Sequence, residues 1–153
     1  MSDLVAAQPR IPAMSEAAID KVRRLESLAL ETPQIAIDTQ HVIHAGMYAR
    51  TVYVPAGVMI TGALIKIATL LVVHGDADVY VDGESIRLEG YNVLPASAGR
   101  KQAFVALTDL HLTMIFPSRA KNVADAELQF TDECDRLSSR RDVDSNRTII
   151  TGE

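Results

Sequence analysis

Short apolar runs separated by turn residues dominate the chain between Gln34 and Phe116. The runs are Gln34–Ile37, Tyr48–Val54, Met59–Thr61, Leu64–Val73, Ala77–Val81, Ser85–Leu88, Asn92–Leu94, Lys101–Leu107 and Leu110–Phe116. Between them stand Gly46, Pro55-Ala56-Gly57, His74-Gly75-Asp76, Asp82-Gly83, Gly90 and Gly99. Many short β-type runs broken about every ten residues predict a small barrel or jelly roll, whose closure protects the strand edges. Asp82-Gly83 is the strongest hairpin signal, because both residue types tolerate the positive φ of a tight turn. The pattern predicts a mainly β, antiparallel barrel over residues 33–117, its strands running from about Ile35 to Phe116.

Helical periodicity flanks this core. Ser15 can cap a helix over residues 15–32, in which Ile19, Val22, Leu25 and Leu28/Ala29 recur at three-to-four spacing before Pro33 ends it. The first fourteen residues, with Pro9 and Pro12, predict a mobile arm. A C-terminal helix is expected over residues 118–138, with Phe130, Cys134 and Leu137 on one face, followed by a polar tail over 139–153. In Leu64–Val73 both alternating faces are largely apolar, so one must be covered by something outside the barrel. The Ser15 helix or a second subunit would serve, and a homodimer or larger symmetric assembly is expected.

At 153 residues and 48% hydrophobic content the chain can bury one core unaided. A net charge of −5 with scattered Lys and Arg argues against nucleic acid as a partner. Cys134 is the lone cysteine, and Met1 is followed by Ser2-Asp3 rather than a basic and then apolar segment, so a cytoplasmic setting is expected. The apolar stretch Ala63 to Val73 is interrupted by Lys66 and too short to span a bilayer, so no membrane partner is expected.

Tyr48-Ala49-Arg50, Pro55-Ala56-Gly57, Gly62, Lys66, His74-Gly75 and Gly99-Arg100-Lys101-Gln102-Ala103-Phe104-Val105-Ala106 followed by Asp109 resemble the small single-domain cupins common in bacteriophage genomes. The resemblance covers roughly residues 40 to 117. It implies a jelly-roll barrel, and, for a phage-encoded chain, the host cytoplasm. It also implies a metal held by a first-motif His and Glu and a second-motif His. Here those places carry Leu64, Ile65, Ala68, Thr69 and Gln102. No His lies between Ala45 and Val73, and no Asp or Glu between Asp38 and Asp76. An amide is a poor metal ligand, so neither metal nor other cofactor is expected.

What remains is cationic and amide-rich. Arg100, Gln102 and Phe104 share one strand face, as do Tyr48 and Arg50, while Lys66 stands among apolar neighbours where an unpaired ammonium would be costly. If these faces line the lumen, Arg100 and Gln102, helped by Lys66, Arg50 and Tyr48, suit a small anionic or polar ligand, nucleotide-derived if the phage resemblance holds. No catalytic residue is assigned. The carboxylates Asp76, Asp78, Asp82, Glu84 and Glu89 cluster in turns and read as a solvated edge. Cys134 reads as a small core hydrophobe. Two other functions stay open: an accessory phage protein acting through protein contacts, and a metal-independent isomerase or epimerase. Resemblance to the epimerases of this fold would give His41 or His111 the role of base and Tyr48 that of acid. A metal site from His41, His44 and His111 would need a convergence that the spacing does not require.

Overall fold

The computed structural model describes residues 10–153. Its elements follow in chain order as α1 (Glu16–Ala29), β1 (Asp38–His44), β2 (Met47–Val54), β3 (Met59–Thr61), β4 (Thr69–His74), β5 (Ala77–Val81), β6 (Glu84–Leu88), β7 (Tyr91–Ala96), β8 (Ala103–Ala106) and β9 (Leu110–Pro117). After them come α2 (Val123–Phe130), the short α3 (Ser138–Arg141) and β10 (Asn146–Ile150). A six-stranded sheet, ordered β10-β1-β2-β9-β4-β7, faces a four-stranded sheet, β3-β8-β5-β6. Every strand pair is antiparallel except β1 with β10. The fold is therefore mainly β, an antiparallel jelly-roll barrel with flanking helices, as the turn-broken runs predict.

Alternation sets which side chains enter the barrel. Along β9, Leu110, Leu112, Met114 and Phe116 are buried while the residues between them are exposed or half-buried. One core cluster joins Val54, Val73, Val79, Leu94 and Leu110, sealed by Ile11, whose backbone bridges to the end of β7. A second packs Tyr48, Phe116, Phe130 and Leu137, so α2 and the segment after it close the other side of the barrel. Gly75 is required where β4 turns into β5. Its φ is +120°, and a Cβ there would stand 2.5 Å from the Asp109 carbonyl oxygen.

Several sequence expectations differ in detail. The strand expected over Leu64–Val73 begins only at Thr69, because residues 64–68 cross between the sheets, held by the Ile65 to Arg100 bridge. From Thr69 onward the run alternates, with Leu71 and Val73 buried and Leu70 48% exposed. Its outer face is not covered by α1, whose Ala18 and Val22 pack instead near Tyr80 of β5. The first strand is Asp38–His44, not Gln34–Ile37, and returns through a two-residue turn in which Ala45 and Gly46 both have positive φ. The C-terminal helix stops at Phe130, where the Thr131 N–H caps it, and the chain continues through a single 3-10 turn at Cys134–Arg136. The polar tail is ordered, with β10 extending the large sheet. Of the expected mobile arm, residues 1–9 lie outside the described residues, whereas Ile11 and Met14 are buried.

Candidate functional site in the barrel lumen

The two sheets enclose a cavity of about 800 Å³ that opens between α1, the segment after it and the Asp135–Ser138 region. Its apolar walls come from inward positions of both sheets: Val52, Leu71, Leu112 and Met114 on one side, Ile60 and Phe104 on the other. Arg50, Arg100 and Gln102 line it as well. The parity that places Arg100, Gln102 and Phe104 on one face thus carries all three to the lumen.

Arg100 follows the Gly99 turn and is only 2% exposed. Its guanidinium donates to the carbonyl oxygens of Ser97 at 2.7 Å and Ile67 at 3.3 Å, and to Thr69 Oγ1 at 2.8 Å. No carboxylate pairs with it among the described residues. Burial lowers its pKa to about 10, which still leaves it cationic at neutral pH. Gln102 is 5% exposed, and its Nε2 has no hydrogen-bond partner. A buried amide N–H left unmatched is costly. The lumen therefore holds one uncompensated cation and one unused donor.

Arg50 is cationic but already matched. It donates to Glu127 Oε2 and to Ser139 Oγ, each at 3.1 Å, and stacks over the Phe130 ring at 5.5 Å. Burial pushes the Glu127 carboxyl up, but donation from Ser139 and Arg140 together with the Arg50 charge outweighs this and holds it below its ordinary value. Tyr48, fully buried, does not line the cavity; its hydroxyl meets His41 Nδ1 at 2.7 Å behind Arg50. Asn146 donates its Nδ2 protons to the Ser139 and Val143 carbonyls, so its Oδ1 accepts from His41 Nε2 at 2.7 Å. That assigns the ring proton to Nε2 and makes Nδ1 the acceptor for Tyr48. Burial lowers the His41 pKa and raises that of Tyr48.

Lys66 is not brought to the site. Its ammonium is exposed and pairs with Asp132 at 2.6 Å, so it reaches solvent rather than the lumen. The structure instead buries Lys101 completely, on the face opposite Gln102. Lys101 Nζ donates to the Gly62 carbonyl at 2.9 Å and pairs at 3.2 Å with both Glu26 of α1 and Glu133. Sequence parity had no place for it. The only warning was a Lys between two inward residues near a chain crossing.

The chemistry available to the lumen is narrow. Among the described residues no His, Cys or Tyr lines the cavity, and its carboxylates are Glu26 and Asp135 at the mouth. Glu26 is engaged by Lys101, Arg136 and Thr61. Among the described residues no three His, Cys, Asp or Glu side chains are grouped to hold a metal ion. At the positions where the resemblance would put metal ligands, Leu64, Ile65, Ala68, Thr69 and Gln102 supply neither imidazole nor carboxylate and do not fit a metal. His41 points into the fold, His44 meets Thr151, and His111 faces His74 across the outside of the large sheet at 5.7 Å, so His41, His44 and His111 do not converge.

No protein-family model matches the chain, and no curated protein does. Solved structures similar to it include KdgF from Halomonas sp., at 22% identity over 58% of this chain and 86% of that one, with a TM-score of 0.46. A cupin superfamily protein from Desulfitobacterium hafniense DCB-2 is 15% identical over 72% of this chain and 99% of that one, TM-score 0.47. Salicylate 1,2-dioxygenase from Pseudoaminobacter salicylatoxidans is 13% identical over 70% of this chain and 34% of its own, TM-score 0.47.

Proposed function

We propose that the chain binds a small anionic ligand in its barrel lumen and does not transform it. The observation that carries this reading is Arg100, a buried cation without a carboxylate partner among the described residues, on the wall of a cavity of about 800 Å³. That volume lies within the usual range for small-molecule sites. The unmatched Gln102 Nε2 supports the same reading. Arg50 contributes field rather than a free donor pair, and Lys66 and Tyr48 do not line the cavity. The epimerase reading lacks a base at the lumen, because His41 is enclosed behind Arg50 and His111 sits on the outer face.

Thermal-shift screening of nucleotides, sugar phosphates, dicarboxylates and simple monocarboxylates tests it, since a ligand bound only by the folded state raises the melting temperature. Arg100→Ala should weaken any hit by about 1.5–3 kcal/mol, the range for a hydrogen bond to a charged group. A panel without hits moves the preference to an accessory protein acting through protein contacts. The exposed Leu70, Tyr91 and Val93 on the large sheet favour that second reading.

A further inference from the structure

Charge balance narrows the ligand further. Arg50 and Arg100 bring two guanidiniums to the lumen wall, and Glu127 pairs with Arg50 as well as with Arg140, which lies outside the lining. Arg100 is the one without an acid partner among the described residues, and its guanidinium donates to two carbonyls, a threonine hydroxyl and the Met114 sulfur. The mouth adds no unpaired cation. Glu26 and Asp135 border it, Glu26 already paired with Lys101 and Arg136, and the Ala29 carbonyl at the end of α1 is capped by Thr32 and Gln34. Arg136 and Arg141 also border the mouth, but each is paired with an acid, Glu26 and Asp142 respectively. A dianion entering this lumen would therefore meet Arg100 as its one cation free of an acid partner, with Asp135 at the mouth.

Ser27, Thr32, Gln34 and Ser138 line the cavity from α1 and the segments that border its opening, while the strand-borne wall is mainly hydrocarbon, from Val52, Ile60, Leu71, Phe104, Leu112 and Met114. Such a wall rewards an apolar body and gives no partners to extra hydroxyl or phosphoryl oxygens. The Gln102 amide adds one donor, enough for the second oxygen of a carboxylate. A phosphate monoester carries close to two charges and three acceptor oxygens, more than these groups match.

We infer that the lumen is selective for a hydrophobic monocarboxylate, an aryl or branched alkyl acid, with its carboxylate drawn towards Arg100 and Gln102 and its body against the Phe104 and Leu112 walls. This rests on the ligand-binding reading above.

Isothermal titration of the wild-type protein with 3-phenylpropionate, its neutral amide 3-phenylpropanamide, and phenyl phosphate tests the inference without requiring a variant to fold. The acid should bind at least tenfold more tightly than either analogue. Gln102→Leu, which keeps size and removes the donor, should weaken the acid several-fold and leave the amide within twofold. Equal affinity for acid and amide would show that the charge is not read. Tighter binding of phenyl phosphate, or hits confined to nucleotides and sugar phosphates, would overturn the monocarboxylate assignment while the broader anion reading stands. Failure of all three compounds and of the whole screening panel would overturn both.

Discussion

His41 is enclosed between Tyr48 and Asn146 and is 1% exposed, so protonating it adds a buried charge and turns its one acceptor into a second donor. Its folded-state pKa lies below the ordinary 6.5, chiefly through burial. Below pH 6.5 the unfolded chain then binds more protons than the folded one, and stability falls as pH drops from 6.5 towards the folded value. Glu127 and Glu133, held below their ordinary carboxyl value of 4.5, lose their contribution only at more acid pH. Urea denaturation should show a slope between pH 6.5 and the carboxylate range that His41→Gln flattens. An unchanged slope in that variant would mean that other groups carry it. At this scale part of the site could be read in advance. Strand parity put Arg100, Gln102 and Phe104 together, whereas the Tyr48 and Lys66 expectations failed because parity gives the face of a strand and not the depth or partner of a side chain.

The α1 helix is a clamp as well as a cover. Ser15 caps it as expected, its Oγ accepting from the Ala18 N–H, and Glu26 near its far end reaches Lys101. Lys101 is wholly buried while its carboxylate partners are 15% and 18% exposed, so the loss of Lys101 leaves two partly desolvated acids facing each other. Lys101→Met is expected to destabilise the protein by about 2–3 kcal/mol, below the range for a fully buried pair because solvent screens the acids in part. Chemical denaturation measures it, and limited proteolysis between Leu30 and Ile37 should quicken as α1 loosens. A variant as stable as the parent would show that helix packing alone seats α1. The β1 strand escaped sequence reading because its inward positions include Thr39 and His41, polar residues that break the usual alternation, and because Ala45-Gly46 is a weaker turn signal than Asp-Gly.

Across the whole molecule the outer face of the large sheet is unusually free of charge. One cross-strand row runs Pro95, Leu70, Ile115, Ala49, Val42 and Ile149 through all six strands. A second row ends in Val93 and Val72, and a third stacks Tyr91, His74, His111 and Tyr53 edge to face. We propose that a second copy of the chain covers this face, because an apolar surface with charge only towards its margins can meet its own two-fold image without burying an unpaired ion. Light scattering at micromolar concentration should give a dimer mass, and Leu70→Glu with Val93→Lys should give a monomer of unchanged circular dichroism. A monomeric mass for the parent chain, stable on dilution, would refute it. No helix among the described residues is long and apolar enough to cross a membrane.

The local signals determined the mainly β architecture, the Ser15 start of α1, the Asp82-Gly83 hairpin and the shared face of Arg100, Gln102 and Phe104, because each depends on alternation or on residues within a few positions of one another. Tertiary structure alone decided the rest. The parallel pairing of β10 with β1 joins residues more than a hundred positions apart, as do the contacts of His41 with Asn146 and of Ile37 with Asp142. Whether a charge is matched depends on such distant partners: Glu127 matches Arg50, Asp132 takes Lys66, Glu26 and Glu133 enclose Lys101, and no acid among the described residues reaches Arg100. Strand parity encodes direction, but a counter-ion arrives from elsewhere in the chain, and that arrival separates a structural cation from one left for a ligand.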